Sequence, residues 1–553
     1  MPTITPDIGE SDHFPHARAS TPEVPAVDAT SLQRWLHDGT EIALLDVREH
    51  GQYGEGHPFL AVSTPYSRLE LDVPRLVPRL TTRMVLLDDA ASAGVAARAA
   101  HRLRDLGYTQ VWTLAGGAQA WTASGRSLFQ GQNLPSKTFG EQVEQVFDVP
   151  HMDARALNAR LAAGEALVLL DGRTLQEHRK MTIPGAVPLP NGELALRWRS
   201  VVADDQTPIV VHCAGRTRSI VGAQILRELG VPNPVYALEN GTQGWALAGL
   251  DLERGSPRTL PRAPNPAQRD AEQRQARALA ARTGVPELSA TQAQLWLDDR
   301  QRTTFVFDVR TAEEFAAGSL PGALHAPGGQ LLQTTDQHVG VRGARMLLLD
   351  DDGIRAAVVA AWLRRLGHEA ATVSGGIGAS LRIRPAATAP LPDAPAEIGF
   401  EELNSWRVSG RTWPLLVDLR ASSQYRQGHT VGSIWSIRPR LLDHLGQAFA
   451  GTQQRPLWLV ADDVAIAPLA AQDLREAGWQ ALAWTRAGAL ADAGWPQEST
   501  PQQPTDAESI DYLFFVHDRH DGNLDAARRY LQWETGLVAQ CAPDELAAFR
   551  LEL

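Results

Sequence analysis

Cysteine is scarce in this chain: Cys213 and Cys541 are the only two among 553 residues. Two thiols cannot form a disulfide framework, and their rarity fits a reducing compartment where a lone thiol stays available for chemistry. Long apolar runs are missing too, since no stretch approaches the roughly 18 residues needed to span a bilayer. The opening residues, MPTITPDIGESDHFPHARASTPEVPAV, lack the basic start and apolar run of a signal peptide. A cytoplasmic protein without a membrane partner is therefore expected. Positive charge is also in deficit. The net charge is -12 and there is no long basic run, which argues against nucleic acid as a partner. Trp362-Leu363-Arg364-Arg365 reads as one solvated helix face.

What is present is repetition. A buried strand followed by Asp, one residue and Arg recurs four times, at Asp46-Val47-Arg48, Asp171-Gly172-Arg173, Asp308-Val309-Arg310 and Asp418-Leu419-Arg420. The aspartates stand 125, 137 and 110 residues apart, a domain-sized period. A short amphipathic helix precedes each strand. A Gly/Pro turn, a second apolar strand, an Ala/Leu/Arg helix ending at Gly107, Gly230, Gly367 or Gly478, and a third strand follow it. Uninterrupted apolar strands alternating with helices predict an α/β fold, a small mostly parallel sheet with helices on both faces in each unit. The expected units are residues 24–130, 140–255, 286–384 and 396–500, with a C-terminal extension at 505–553. Linkers are expected near 131–147, 254–286 and 385–396, the middle one as a solvated connector.

The second copy combines Asp171-Gly172-Arg173, Ile183-Pro184-Gly185-Ala186, His212-Cys213-Ala214-Gly215-Arg216 and Asn240-Gly241-Thr242-Gln243-Gly244-Trp245. With these motifs the chain resembles the rhodanese superfamily from about residue 24 to 500, as four tandem rhodanese-like domains. Copy four is the loosest, with Val431-Gly432-Ser433 in place of Pro-Gly-Ala. The resemblance implies sulfurtransferase activity at Cys213 and no cofactor or metal.

Cys213 falls where a strand ends and a helix begins, and Ala214, Gly215, Arg216, Thr217, Arg218 and Ser219 form the following loop. Backbone N–H groups at such a turn make an anion cradle, and helix dipole and donors together favour thiolate over thiol. Arg216 and Arg218 are expected to add fixed positive charge, Arg218 being the better candidate for contacting substrate. A dianionic donor such as thiosulfate suits the site, with cyanide or a thiol as acceptor and a Cys213 persulfide between the two steps. Asp171 and Arg173 are read as a supporting strand-end pair, and His212 as packed beneath the loop. Phosphatase chemistry is the rival reading. The Cys-x5-Arg phosphatases need Arg six residues after Cys, where this chain has Ser219. Within the rhodanese-like family a six-residue loop accompanies sulfur, which favours sulfur here. A second function class stays open, a persulfide carrier or scaffold that delivers sulfur to a protein partner. The donor also stays open among thiosulfate, glutathione persulfide and mercaptopyruvate, although the Cys-Gly-Ser-Gly loop usual for mercaptopyruvate enzymes is absent.

Cys213 lies 17 residues before Gly230, and equal counting assigns Ala90, Asp350 and Ala461 to its place in copies one, three and four. Without a thiol these copies are expected to be inert, either structural or docking surfaces for a protein that gives or takes sulfur. In the extension, Tyr512 to Val516 reads as a strand and Leu524 to Trp533 as a helix docked on a neighbouring domain. His517, His520 and Asp521 make only a weak metal motif, with no matched second pair. Cys541, lacking cationic neighbours, is read as incidental.

Overall fold

The computed structural model describes residues 23–552 apart from 267–268, 386–389, 449–454, 480–481, 518, 520 and 521. It contains four five-stranded parallel sheets with one shared strand order, in which the first strand pairs with the last and the central pair carries the site-forming ends. In copy two the order is His151–Met152, Val235–Leu238, Ile209–His212, Val168–Asp171, Val187–Pro188. Both central strands are buried on both faces, which is why their sequences run apolar without alternation. Copy four adds a two-stranded antiparallel pair, His429–Thr430 with Gln497–Glu498. The α/β expectation of helix-flanked parallel sheets is met.

Every central strand ends in the same clasp. Arg48, Arg173, Arg310 and Arg420 each grip their own Asp46, Asp171, Asp308 and Asp418 through Nε and Nη2. The same Nη2 donates to a carbonyl eight residues on, that of Gly56, Met181, Gly318 or Gly428. The repeated motif thus pins the turn after the strand in all four copies.

Three sequence expectations change. Residues within 131–147, expected as linker, form a helix, Leu134–Phe147, that packs on the helix Thr217–Glu228 of copy two. The solvated connector contains the helix Asp270–Arg282, whose Ala276 and Leu279 are fully buried against the helix Arg355–Arg365. The supposedly solvated face on that second helix is interior: Trp362 and Leu363 are buried, and Arg365 donates to Glu228 at 3.1 Å. In each case the helix joins copies through a buried face, and one continuous apolar core runs through copies one, two and three.

Copy four is fastened to copy one by buried charges. Arg438 donates to Glu70 at 2.6 and 2.8 Å and to Asp473 at 2.9 Å, while Arg102 donates to Asp473 at 2.6 Å. In the extension, Phe514–His517 is a helical turn where a strand was expected, because the preceding Leu513 and its own Val516 pack inward at helical spacing. The helix Leu524–Thr535 forms as expected and lies against Leu134–Phe147 and Gly241–Leu247. No described helix is long and apolar enough to cross a membrane.

Candidate active site

Strand Ile209–His212 delivers Cys213 to the carboxyl edge of the sheet, the edge where open α/β sheets gather ligands. Helix Thr217–Glu228 starts four residues later, with the N–H groups of Ser219 and Ile220 donating to Arg216 O at 3.0 and 3.1 Å. The first two loop carbonyls are bonded elsewhere. Cys213 O accepts from Thr242 N at 2.8 Å and Ala214 O from Gln243 N at 3.1 Å, both at the start of helix Gly241–Leu247. Gly241 makes this possible: its φ is +52°, and a methyl group there would stand 2.2 Å from Cys213 O. Carbonyls bonded away from the loop centre are one half of the polarity an anion cradle needs.

Cys213 is only 2 % exposed, and its Sγ lies 3.7 Å from Ser219 Oγ. Ser219 Oγ in turn donates to Arg216 O at 2.7 Å. Beneath the loop, His212 is buried beside Asp171 and Thr182, and burial pushes it down to about 4 despite the opposing pull of Asp171. It is neutral near pH 7 and supports the loop as expected.

The loop arginines sit differently from expectation. Arg216 turns away from the thiol toward helix Leu134–Phe147, donating to Glu141 at 2.8 and 2.9 Å and also to Glu144. Burial lifts Glu141 to about 7 in spite of Arg216. Arg218 forms a bidentate pair with Glu177 at 2.7 and 2.8 Å. Burial alone would raise Glu177, but Arg218 holds it at about 2. Arg218 remains within electrostatic reach of Cys213, which, after Glu177, adds to the preference for its charged form. Its backbone O accepts from Asn191 Nδ2 at 2.9 Å, a tie that sequence reasoning missed.

Sequence reasoning also missed the roof. Thr217 Oγ1 donates at 3.1 Å to Glu534 Oε1, which comes from the C-terminal extension 317 residues away. Tyr530 of the same helix hydrogen-bonds to buried Lys137, whose Nζ also lies 4.7 Å from the Trp533 ring centre. Cys541 packs with Phe59, Phe129, Leu134 and Leu537, and burial raises its thiol to about 12. His517 ends the helical turn described above, while His520 and Asp521 lie outside the described residues. No metal-holding cluster of His, Cys, Asp and Glu occurs among the described residues.

Strand register identifies the counterparts of Cys213. Asp171 pairs with His212, Asp46 with Leu87, Asp308 with Leu349 and Asp418 with Val460. The residues that follow are Cys213, Asp88, Asp350 and Ala461. Counting back from Gly107 gave Ala90, but copy one has a loop two residues longer, and Asp88 occupies the position. Its carbonyl accepts from Ala118 N just as that of Cys213 accepts from Thr242 N.

Comparison with known proteins agrees with this geometry. The rhodanese-like domain family matches residues 28–124, 153–248 and 289–380. The crystal structure of thiosulfate sulfurtransferase from Pseudomonas aeruginosa superposes with a TM-score of 0.87 and 37 % identity, covering 95 % of this chain and 99 % of that one. A sulfurtransferase of Allochromatium vinosum is 31 % identical over 104 residues, 19 % of this chain and 94 % of that protein. The putative sulfur carrier protein YrkF of Bacillus subtilis is 28 % identical over 102 residues, 18 % of this chain and about half of that protein, 54 %.

Proposed function

We propose that this chain, which belongs to the rhodanese-like sulfurtransferase family, moves sulfane sulfur from thiosulfate to a thiophilic acceptor through a persulfide on Cys213. The observation that carries the reading is a thiol at the strand end, 3.7 Å from Ser219 Oγ, with the carbonyls of Cys213 and Ala214 bonded away to the start of the next helix.

In the first displacement the Cys213 thiolate attacks the outer sulfur of thiosulfate. The S–S bond of the donor breaks, sulfite leaves with the electron pair, and Cys213 carries the extra sulfur as a persulfide anion. Loop N–H groups stabilise the oxyanion as it departs and then the persulfide. In the second displacement cyanide or a thiolate attacks the outer sulfur and Cys213 leaves as thiolate. No general base is needed, consistent with a neutral His212 held beneath the loop. Ser219, where a phosphatase would carry Arg, leaves no bidentate clamp for a phosphoryl group.

The burial of Cys213 favours a second reading, a persulfide carrier that hands sulfur to a protein partner, because a shielded persulfide is protected from stray thiols. Intact-mass analysis after thiosulfate exposure tests the shared step: one sulfur must appear on the fragment containing Cys213, and its absence there ends both readings. Rapid thiosulfate:cyanide turnover then supports the transferase, and a stable persulfide with negligible turnover the carrier.

A further inference from the structure

Between copies one and three, and bounded on a third side by the C-terminal extension, lies a cavity of about 390 Å³. Sites for small molecules usually span about 300–1,000 Å³. Cys213 and its loop do not line this one. Ile42 and Leu44, which share one face of the strand Ile42–Asp46, form an apolar wall with Phe59, Val341, Leu366 and Phe549. Gly39, Thr40, Gly343 and Ala547 line the cavity and are exposed, so a ligand enters from solvent without moving an element.

One cation in the lining has no counter-charge. Arg342 is fixed by backbone pairing with Ile42 and by its Nε, which donates to Leu36 O at 2.9 Å. Its Nη1 and Nη2 have no hydrogen-bond or ion-pair partner among the described residues. Burial disfavours its charge, and no carboxylate offsets that cost. His368 lies within its field, and its ring nitrogens likewise have no partner among the described residues. Burial, with Arg342, brings His368 down to about 4, so near pH 7 it is neutral with one N–H to give. His37 is already engaged with Gln33 and stands 3.6 Å from Asp544, and Arg550 is exposed. The carboxyl groups of the lining bear on other residues, Asp336 on Lys137 and Tyr53, Glu545 on Asp544 and Arg126. A single planar guanidinium beside an apolar wall matches one carboxylate, while Asp336 and Glu545 disfavour a multiply charged anion.

We propose that this cavity binds a small amphipathic monocarboxylate, its carboxylate held by Arg342 and His368 and its apolar body against Ile42, Leu44, Phe59 and Phe549. The site is separate from the sulfur chemistry at Cys213 and stands without it.

The test is calorimetry on the full chain with two probes of one shape, octanoate and octanamide. Octanoate should bind the wild-type protein, and octanamide, which lacks the charge, about tenfold or more weakly, the scale of one hydrogen bond to a charged group. Arg342→Gln should weaken octanoate about tenfold and leave octanamide within about twofold. No binding of octanoate to wild type overturns the proposal, as do equal affinities for the two probes. An equal loss of both in Arg342→Gln does the same, because it would make Arg342 a wall of the cavity and not a partner for charge. Cys213→Ser should bind octanoate as wild type does; a loss there would place the ligand at the catalytic loop and remove this site. Crystals of the wild-type protein soaked in ω-bromooctanoate give a reading independent of any variant. The anomalous bromine peak should fall inside the cavity with the carboxylate on Arg342, and a peak only elsewhere overturns the proposal.

Discussion

Copies two and three have the same frame around opposite contents. Each places a residue 17 positions before the helix-ending glycine, at the end of a central buried strand, with its carbonyl held by the next Gly turn. In copy two that residue is Cys213, whose Sγ lies 3.7 Å from Ser219 Oγ. In copy three it is Asp350, whose carboxylate accepts from the N–H groups of Gly353, Ile354 and Ala356 at 3.1, 3.1 and 2.9 Å. The third cradle is built as an anion site and filled by its own chain. Copy one does part of the same, with Asp88 Oδ2 accepting from Ala96 N at 3.0 Å. Under the proposed function, the difference teaches that chemistry depends on whether the residue at the centre of the strand-end loop fills that loop itself, as Asp350 does in copy three.

The strongest way to break the comparison is Cys213→Ser. An alcohol at this position cannot form a persulfide, so thiosulfate-dependent turnover should fall by about a thousandfold or more and the sulfur mass increment should vanish. Residual turnover near wild type would place the nucleophile elsewhere. The converse change, Asp350→Cys, should empty the third cradle and install a thiol. A second sulfur on the fragment containing residue 350 after thiosulfate treatment is expected, at lower occupancy than on Cys213. No second sulfur would mean that the cradle of copy three differs from that of copy two in more than its central residue.

A smaller effect concerns the frame. Phe139 on the helix Leu134–Phe147 is buried against Trp362 and Phe549, and that helix also holds Arg216 through Glu141. Phe139→Ala should cost about 3–5 kcal/mol of local stability, typical for a large aromatic removed from a core. Hydrogen exchange near residues 213–220 should rise while copy four stays unchanged. Equal loosening of both would mean that this helix does not specifically brace the site.

These expectations also mark how far the sequence could be read. Cys213, its loop and the four Asp-x-Arg clasps were legible because each depends on local backbone geometry within about ten residues. The helix Leu134–Phe147 was not, because its buried face includes Ser136, Lys137 and Glu141, whose partners are Leu332 O in copy three, Tyr530 in the extension and Arg216 in copy two. Glu534 was invisible for a different reason: it meets Thr217 across 317 residues, and no local pattern encodes such a contact. Arg216 and Arg218 were found, but their partners Glu141, Glu144 and Glu177 were not. The two were therefore read as free cations when both are paired.

The subtlest consequence of the comparison is a pair of opposite pH slopes. Buried His212 in copy two is pushed down to about 4, against an ordinary value near 6.5, so the unfolded copy binds more protons between those limits. Its stabilising effect is fully present above pH 6.5 and is lost as pH falls toward 4. Asp350 in copy three is raised to about 7 by burial and by Asp352, against an ordinary value near 3.8, so there the folded copy binds more protons. Its contribution to stability falls as pH rises from about 4 to 7. Each slope is on the order of 1 kcal/mol per pH unit inside its window. Opening free energies from hydrogen exchange, corrected for intrinsic rates, should diverge for peptides covering residues 209–220 and 345–357. His212→Gln should flatten the first dependence and Asp350→Asn the second, each leaving the other in place. Parallel slopes in the two copies would show that their buried groups titrate alike, and would remove the claim that copy three holds a neutralisable carboxyl where copy two holds its thiol.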